Sequence, residues 1–455
     1  MQRVKGLMTG SLPTFIDAGS NFASSAVGED HLVYHFNRAF HVTLLGDDTW
    51  VHLFPDSIDT AYASDSFKMF DLHTVDNRIL DKLWTEVAQP RKQVLLAHFL
   101  GVDHCGHTYG PDHPNMADKL AQMNTVIERL VDQFIDDSTL LVVMGDHGMS
   151  VEGDHGGESV EELMSTLFLY SKRPLTSTDT SLRDLYHRIH AARQRVLGYD
   201  VRDISDRLQY DASRYPIVSQ IHLVPSLAYL MGVPIPFGNL GAILPDVLNP
   251  PVTQQQSDPL LTLQHMVLQY RKNAVQVHTY LTRYAAYDAA FAPHALQDKL
   301  AYLWAAEAAL LRPGAAQDRA LLEQAVLDYD AFLIHTLQYC EAIWAQFDVT
   351  SMVLGIAVLA CGVLISLWFL FSSSITYDTL WLVAGLLVQA LTLGSNSFVV
   401  WEDQGTRFVA ATLCVVWLVQ DHAWILPLAV LAWIRLTGST GLCREEQFPY
   451  CDAIQ

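Results

Sequence analysis

The chain has 455 residues, half of them hydrophobic, and its 28 Lys and Arg face 49 Asp and Glu for a formal charge of −21. That length allows one large core or two to three domains, and the absence of any basic run able to track a phosphate backbone excludes a nucleic-acid binder. Six cysteines without C-x-x-C spacing exclude a disulfide scaffold and a thiolate zinc site.

The opening residues, MQRVKGLMTGSLPTF, hold no apolar core of signal-peptide length. From there to about residue 245, short β-branched or Leu-rich runs alternate with helical patterns and Gly/Pro turns, which predicts an α/β domain. Strands are expected at His41–Leu45, Val94–Phe99, Thr139–Met144 and Thr166–Tyr170. Between the second and third, Met116, Leu120, Met123, Ile127, Leu130 and Phe134 recur at helical steps and predict one buried stripe. This strand, helix, strand unit predicts parallel strands.

Residues 250–347 are rich in Ala, Leu, Gln and Tyr, with breaks at Ala292–Pro293 and Arg312–Pro313–Gly314, so helices are expected near 257–290, 294–311 and 315–347. They read either as a helical linker or stalk or as extra helices on the same core. From Ser351 to Phe371, 21 consecutive residues carry no charge, enough at about 1.5 Å each to cross a hydrocarbon layer of roughly 30 Å. A second span is expected near Thr379–Val400, and Phe408–Val419 with Ala423–Leu436 form one or two more, giving three to four membrane helices within 351–436 and a polar tail at 437–455. Cys443 and Cys451 are spaced to pair across a short loop in an oxidising compartment, a pairing the sequence leaves open.

Two stretches carry the chemistry. LLAHFLGVDHCGHTYGPDHP runs a strand into Asp103, His104 and His107, and LLVVMGDHGMSVEGDHGGES runs the next into Asp146 and His147, then Asp154 and His155. Residues just past the carboxyl ends of strands line the ligand crevice of an open α/β sheet. An isolated Asp-His pair is ordinarily a capped turn. Repetition of carboxylate and imidazole on successive strand ends suits a hard-to-borderline divalent metal instead.

GVDHCGH and GDHGMSVEGDHGG resemble the metal motifs of the alkaline phosphatase superfamily, which also contains nucleotide pyrophosphatase/phosphodiesterases, sulfatases and metal-dependent phosphoglycerate mutases. The resemblance implies an alkaline-phosphatase-like catalytic domain over 1–245 and two divalent ions, with zinc the default. It makes Asp103, His107 and His155 ligands of one ion, and Asp146 and His147 part of the ligand set of the other. TGSLPTFIDAGSNFAS, GDDTWVHLFP, LLAHFLGVDHCGH, GDHGMSVEGDHGGES and GVPIPFGNLG resemble successive blocks of the GPI ethanolamine phosphate transferases, most closely the branch acting on the third mannose. The likeness covers nearly all of the chain. Asp47 and Asp48 read as an acidic turn or as neighbours of the substrate ammonium group. His98, His104 and His113 read as supporting or surface residues, and Cys105 as packing.

In that family an N-terminal aspartate and a nucleophilic threonine complete the first site. The resemblance places the threonine immediately before Met1, so the chain reads as a fragment lacking its nucleophile. Thr9, Ser11 and Thr14 do not match that position. For the complete enzyme the resemblance implies that threonine attacks phosphatidylethanolamine, and that the third mannose of the GPI precursor then takes ethanolamine phosphate from the phosphothreonine. It further implies an endoplasmic-reticulum, multi-pass protein with a luminal catalytic domain and a small stabilising membrane subunit. Two rival readings are a water-using phosphodiesterase or pyrophosphatase of the same superfamily and a catalytically dead membrane scaffold.

Overall fold

The computed structural model describes residues 2–12, 26–64, 71–157, 159–211, 214–249, 258–287 and 289–344, with isolated stretches between 350 and 435. The described residues as far as 340 form one compact unit, and those beyond it belong to a second. In chain order the first half reads α1 (Gln2–Thr9), α2 (Leu32–Ala39), β1 (His41–Asp47), α3 (Thr49–Leu53), β2 (Thr60–Ser64), α4 (Thr74–Val87), β3 (Gln93–Ala97), α5 (Gly101–Tyr109), α6 (Pro114–Gln133) and β4 (Leu141–Met144). The second reads α7 (Val160–Leu163), β5 (Leu167–Tyr170), α8 (Thr180–Val196), α9 (Val201–Leu208), α10 (Leu223–Met231), α11 (Pro259–Tyr284), α12 (Gln297–Leu310) and α13 (Arg319–Trp344).

β1 lies between β2 and β3 in a parallel sheet, with Leu45 opposite Tyr62 on one side and Ala97 on the other. Alternation along β1 sends Val42 and Leu44 into a cluster with α1, α2, α3 and α10, and Leu45 into one with Val75, Ile79 and Leu83 of α4 and Val126 of α6. The sheet is therefore covered on both faces, as parallel strands require. Burying Leu44, fully enclosed here, removes apolar surface worth about 1.5–3 kcal/mol.

Two expectations need correction. β3 and β4 are not ladder partners among the described residues: β3 pairs with β1, whereas β4 pairs antiparallel with β5, Val142 opposite Leu169. The short β4 takes its neighbour from the segment that follows the GDHG loop, yet Val94, Leu96, Val142 and Met144 all pack on the same apolar cluster. The stripe on α6 holds at Met116, Leu130 and Phe134 but is rotated between them: Lys119 and Val126 are buried, whereas Leu120 is 53% exposed. A buried ion pair from Lys119 to Asp76 accounts for the rotation, since periodicity of apolar residues gives no weight to a lysine. β2 was not expected from its small, polar sequence TAYAS.

The three later helices fall inside the expected ranges. Arg193 of α8 joins them to the preceding residues, donating to Asp330 of α13 at 2.6 and 2.9 Å, to the Ile243 carbonyl at 2.7 Å and to the Tyr270 hydroxyl of α11 at 3.1 Å. No helix among the described residues is long and apolar enough to cross a membrane. The expected span at 379–400 lies outside the described residues, and those at 351–371 and 408–436 are described only in part, as helix chiefly at 353–357, 360–362 and 428–432; Thr14 and the Cys443–Cys451 pair also lie outside them.

Candidate metal centre

Asp103 and His107 sit four residues apart on α5 and so share a face, with His107 Nε2 3.5 Å from Asp103 Oδ1. The helix ends at Gly110, whose φ of +84° reverses the chain. The second loop leaves β4 at Gly145, whose N–H donates to the Thr166 carbonyl, and turns at Gly148, whose N–H donates to Glu162. It comes back to α5 at Gly153, where φ is +85° and an added Cβ would lie 2.3 Å from the Gly106 carbonyl oxygen. Only glycine permits that approach.

The approach brings His155 Nε2 to 3.4 Å from Asp103 Oδ1. The His147 and His155 rings lie against each other with centroids 3.9 Å apart and planes tilted by 30°, and the His107 and His155 centroids are 4.8 Å apart. One ligand atom from each of Asp103, His147 and His155 lies within 4.8 Å of the others. Residues from both loops thus converge, and His147 joins Asp103 and His155 while also standing 3.7 Å from Asp146 Oδ2. The Asp146 carbonyl accepts from Gln220 at 2.5 Å, which ties the loop to the turn that leads into α10.

The donor chemistry fits a divalent cation. Asp103 Oδ1 is buried without a hydrogen-bond partner, a costly state for a carboxylate oxygen unless something positive faces it. Bonds of about 2.0–2.1 Å to a tetrahedral ion put neighbouring ligand atoms roughly 3.3–3.4 Å apart, and the two imidazole nitrogens stand at 3.4 and 3.5 Å from Oδ1. His147 Nδ1–H donates to the Gly148 carbonyl at 2.9 Å, which leaves the Nε2 lone pair for a metal. Burial, and then the neighbouring His147, hold His155 below the usual histidine range, favouring the neutral ligating form.

A second ionic pair lies at the adjoining strand ends. Asp47, at the end of β1, is buried, and its Oδ1 is 2.9 Å from His98 Nδ1, just past β3. Burial pushes His98 down, but the hydrogen bond and charge of Asp47 and then the charge of Asp146 outweigh it and raise it. Asp47 is likewise lowered by His98 against the upward push of burial. Trp50 Nε1 lies 3.1 Å from the same His98 nitrogen. One Nδ1 cannot both accept from Trp50 and donate to Asp47, and the raised His98 favours donation to Asp47. Asp48 is half-buried at the start of α3, and its N–H donates to the Ser64 carbonyl.

The remaining expected residues serve structure. His104 is buried and donates Nδ1–H to the Asp71 carbonyl at 3.1 Å. His113 caps α6, accepting from Asn115 N–H. Cys105 is buried, and burial pushes its thiol up, which suits packing. Thr9 donates to the Lys5 carbonyl, and its hydroxyl meets that of Ser11 at 2.7 Å. Asp154 lies on the exposed part of its loop. The pairing of His98 with Asp47 had no signal in the sequence beyond the position of each at a strand end.

A type I phosphodiesterase / nucleotide pyrophosphatase family model matches residues 17–229, the span that carries both loops. GPI ethanolamine phosphate transferase 3, catalytic subunit, of Mus musculus is 39% identical over 372 residues, 81% of this chain and 31% of the relative. GPI ethanolamine phosphate transferase 3 of Schizosaccharomyces pombe is 30% identical over 524 aligned positions, 99% of this chain and 50% of the relative. Over most of its length the chain is similar to GPI ethanolamine phosphate transferases. This places it in the alkaline phosphatase superfamily, in keeping with the Asp/His loops at the strand ends. The chain spans 31% and 50% of these family members' lengths. No solved structure matches it.

Proposed function

We propose that the chain is the catalytic unit, with adjoining membrane segments, of a phosphotransferase that moves ethanolamine phosphate from phosphatidylethanolamine to the third mannose of a GPI precursor. The observation that carries this is the buried Asp103 Oδ1, without a hydrogen bond, facing His155 and His107 in a chain similar to these transferases. Asp103, His107 and His155 would hold one divalent cation, and Asp146 and His147 would belong to the ligand set of a second. Zinc is the natural occupant of such a donor set. A pair of such ions neutralises the transferring phosphoryl group and favours in-line displacement.

The chain's own residues prepare the site. The bond from His147 to the Gly148 carbonyl fixes its tautomer and turns Nε2 toward the cluster. Gly153 lets the loop carrying His155 close on α5. Of the expected pair, half-buried Asp48 would offer negative charge for the ethanolamine ammonium group, whereas Asp47 is buried with its charge matched by His98 and would act on the site only through that pair. Lipid substrates at both ends of the reaction give a physical reason for membrane helices beside this unit. We place the protein in the endoplasmic reticulum membrane with the catalytic unit luminal and a small membrane protein as stabilising subunit.

Membranes carrying the complete protein should transfer label from ethanolamine-labelled phosphatidylethanolamine to a GPI precursor bearing three mannoses, and not to one bearing two. Equal labelling of both acceptors would sink the third-mannose assignment. Release of label to water alone would favour a phosphodiesterase, the reaction named by the matching family model.

A further inference from the structure

One side of α5 is held by the segment that opens α4. Asp76, in the first turn of α4, accepts through Oδ1 from the backbone N–H groups of Leu100 and Gly101, each at 3.1 Å. Its Oδ2 accepts from Lys119 Nζ of α6 at 2.9 Å, and the two side chains are 1% and 3% exposed. One turn along α5, His104 donates to the Asp71 carbonyl, and Asp71 Oδ1 accepts from Thr74 N–H. The tethered positions 100, 101 and 104 and the metal-facing positions 103 and 107 belong to one short helix and its entry. They turn together.

We propose that Asp76, backed by Lys119, is the positioning residue of the metal centre: it sets the rotation and height of α5 so that Asp103 and His107 meet His155, and thereby sets cation affinity. This rests on reading that cluster as a cation site. The first N–H groups of a helix lack partners within it, and a carboxylate there satisfies them while matching the positive end of the dipole. A carboxylate so deeply buried needs a cation beside it, which Lys119 supplies. Gly101 completes the device. A Cβ there would lie 2.1 Å from Asp76 Oδ2 and 2.7 Å from both the Leu72 carbonyl oxygen and Lys119 Nζ. The hydrogen bonds of Asp76 go to two backbone N–H groups and to Lys119, so its effect on a cation passes through the helix.

The test uses the full chain in detergent, with Co²⁺ binding followed by visible absorption and Zn²⁺ affinity by competition with a chelator. Asp76→Asn/Lys119→Met removes both buried charges but keeps an acceptor oxygen for Leu100 and Gly101. Asp76→Ala/Lys119→Met removes the acceptor as well. We expect the Asn/Met variant to bind within about threefold of the unmodified chain, and the Ala/Met variant to lose about 10–100-fold with a weakened Co²⁺ spectrum. Gly101→Ala, which keeps both charges but pushes the helix start away, should lose affinity to the same degree. A folded Ala/Met variant that binds as the unmodified chain does overturns the proposal. Should that variant not fold, Gly101→Ala decides by the same criterion. An unmodified chain that binds neither ion overturns the cluster reading and this inference together, whereas intact binding in both the Ala/Met and Gly101→Ala variants overturns this inference alone.

Discussion

Asp103 Oδ1 and His155 Nε2 stand 3.4 Å apart across two loops, and the carboxylate oxygen is buried without a hydrogen bond. The separation is longer than a good N–H···O bond and close to a ligand–ligand edge around a tetrahedral ion. The relationship joins the start of α5 to the end of the GDHG loop, and neither half has the ligands alone.

Removing either member should therefore empty the site rather than loosen it. We expect His155→Ala and Asp103→Asn each to reduce zinc affinity by more than the about 100-fold that loss of an outer supporting residue can cost, and to cut transfer by orders of magnitude. Metal content of the purified chain, measured by mass spectrometry alongside labelled transfer, checks this. Retained zinc with normal transfer would remove the residue from the ligand set.

The candidate cluster was legible in the sequence because its residue types are concentrated. Asp103 and His107 follow one strand, Asp146 and His147 the next, and both strands pack on a shared apolar cluster through Val94 and Val142. What escaped was whatever depends on pairing between segments whose own patterns are silent. Nothing in LFLY tells that it lies antiparallel to LVVM. Lys119 reads as a solvated helix position until Asp76 faces it, and Asp76 reads as an ordinary first-turn acid. His98 and Asp47 each end a strand, and only the parallel register of β1 and β3 sets them side by side.

Arg193 and Asp330 give a prediction about stability alone. Both are nearly fully buried, and Arg193 also donates to Ile243 and Tyr270. Asp330→Ala leaves the guanidinium enclosed without its carboxylate, a change that typically costs about 3–5 kcal/mol. Arg193→Met/Asp330→Leu, which removes both charges, should cost less. Urea unfolding of the three proteins checks the order, and equal losses would mean that the ion pair is not what those helices depend on.

His31 sets a pH dependence whose sign follows from its cap. Its Nδ1 accepts from Tyr34 N–H at the start of α2, so the cap needs a neutral ring. Burial, against the raising charge of Asp30 and with the lowering charge of His35, takes it from 6.5 to about 4. As pH falls through 6.5 the unfolded state takes up the proton first, so stability declines from there to about 4 and is level below both values. A shift of this size is worth up to about 3 kcal/mol. Buried His222, also lowered, adds to the decline with the same sign. Unfolding free energies at pH 7 and 4.5 should differ in that direction, and His31→Asn, which keeps a cap acceptor, should shrink the difference. An unchanged difference would place the titration elsewhere.

The glycines of the second loop should be as sensitive as the ligands, for a geometric reason. A Cβ at Gly148 would stand 2.0 Å from the Glu161 carbonyl oxygen and 2.3 Å from that of Met164, and backbone cannot swing aside as a side-chain tip can. At Gly153 the 2.3 Å approach to the Gly106 carbonyl is compounded by a positive φ, which for a non-glycine residue adds about 1–2 kcal/mol. Gly198, with φ of +74° and nothing within 4 Å of its Cβ, is the control: it carries the conformational strain without the contact. We expect Gly148→Ala and Gly153→Ala to lower zinc affinity sharply, and Gly198→Ala to cost a little stability and leave zinc binding unchanged. Zinc affinity falling equally in all three would show that general destabilisation, rather than closure of the loop on α5, governs the site.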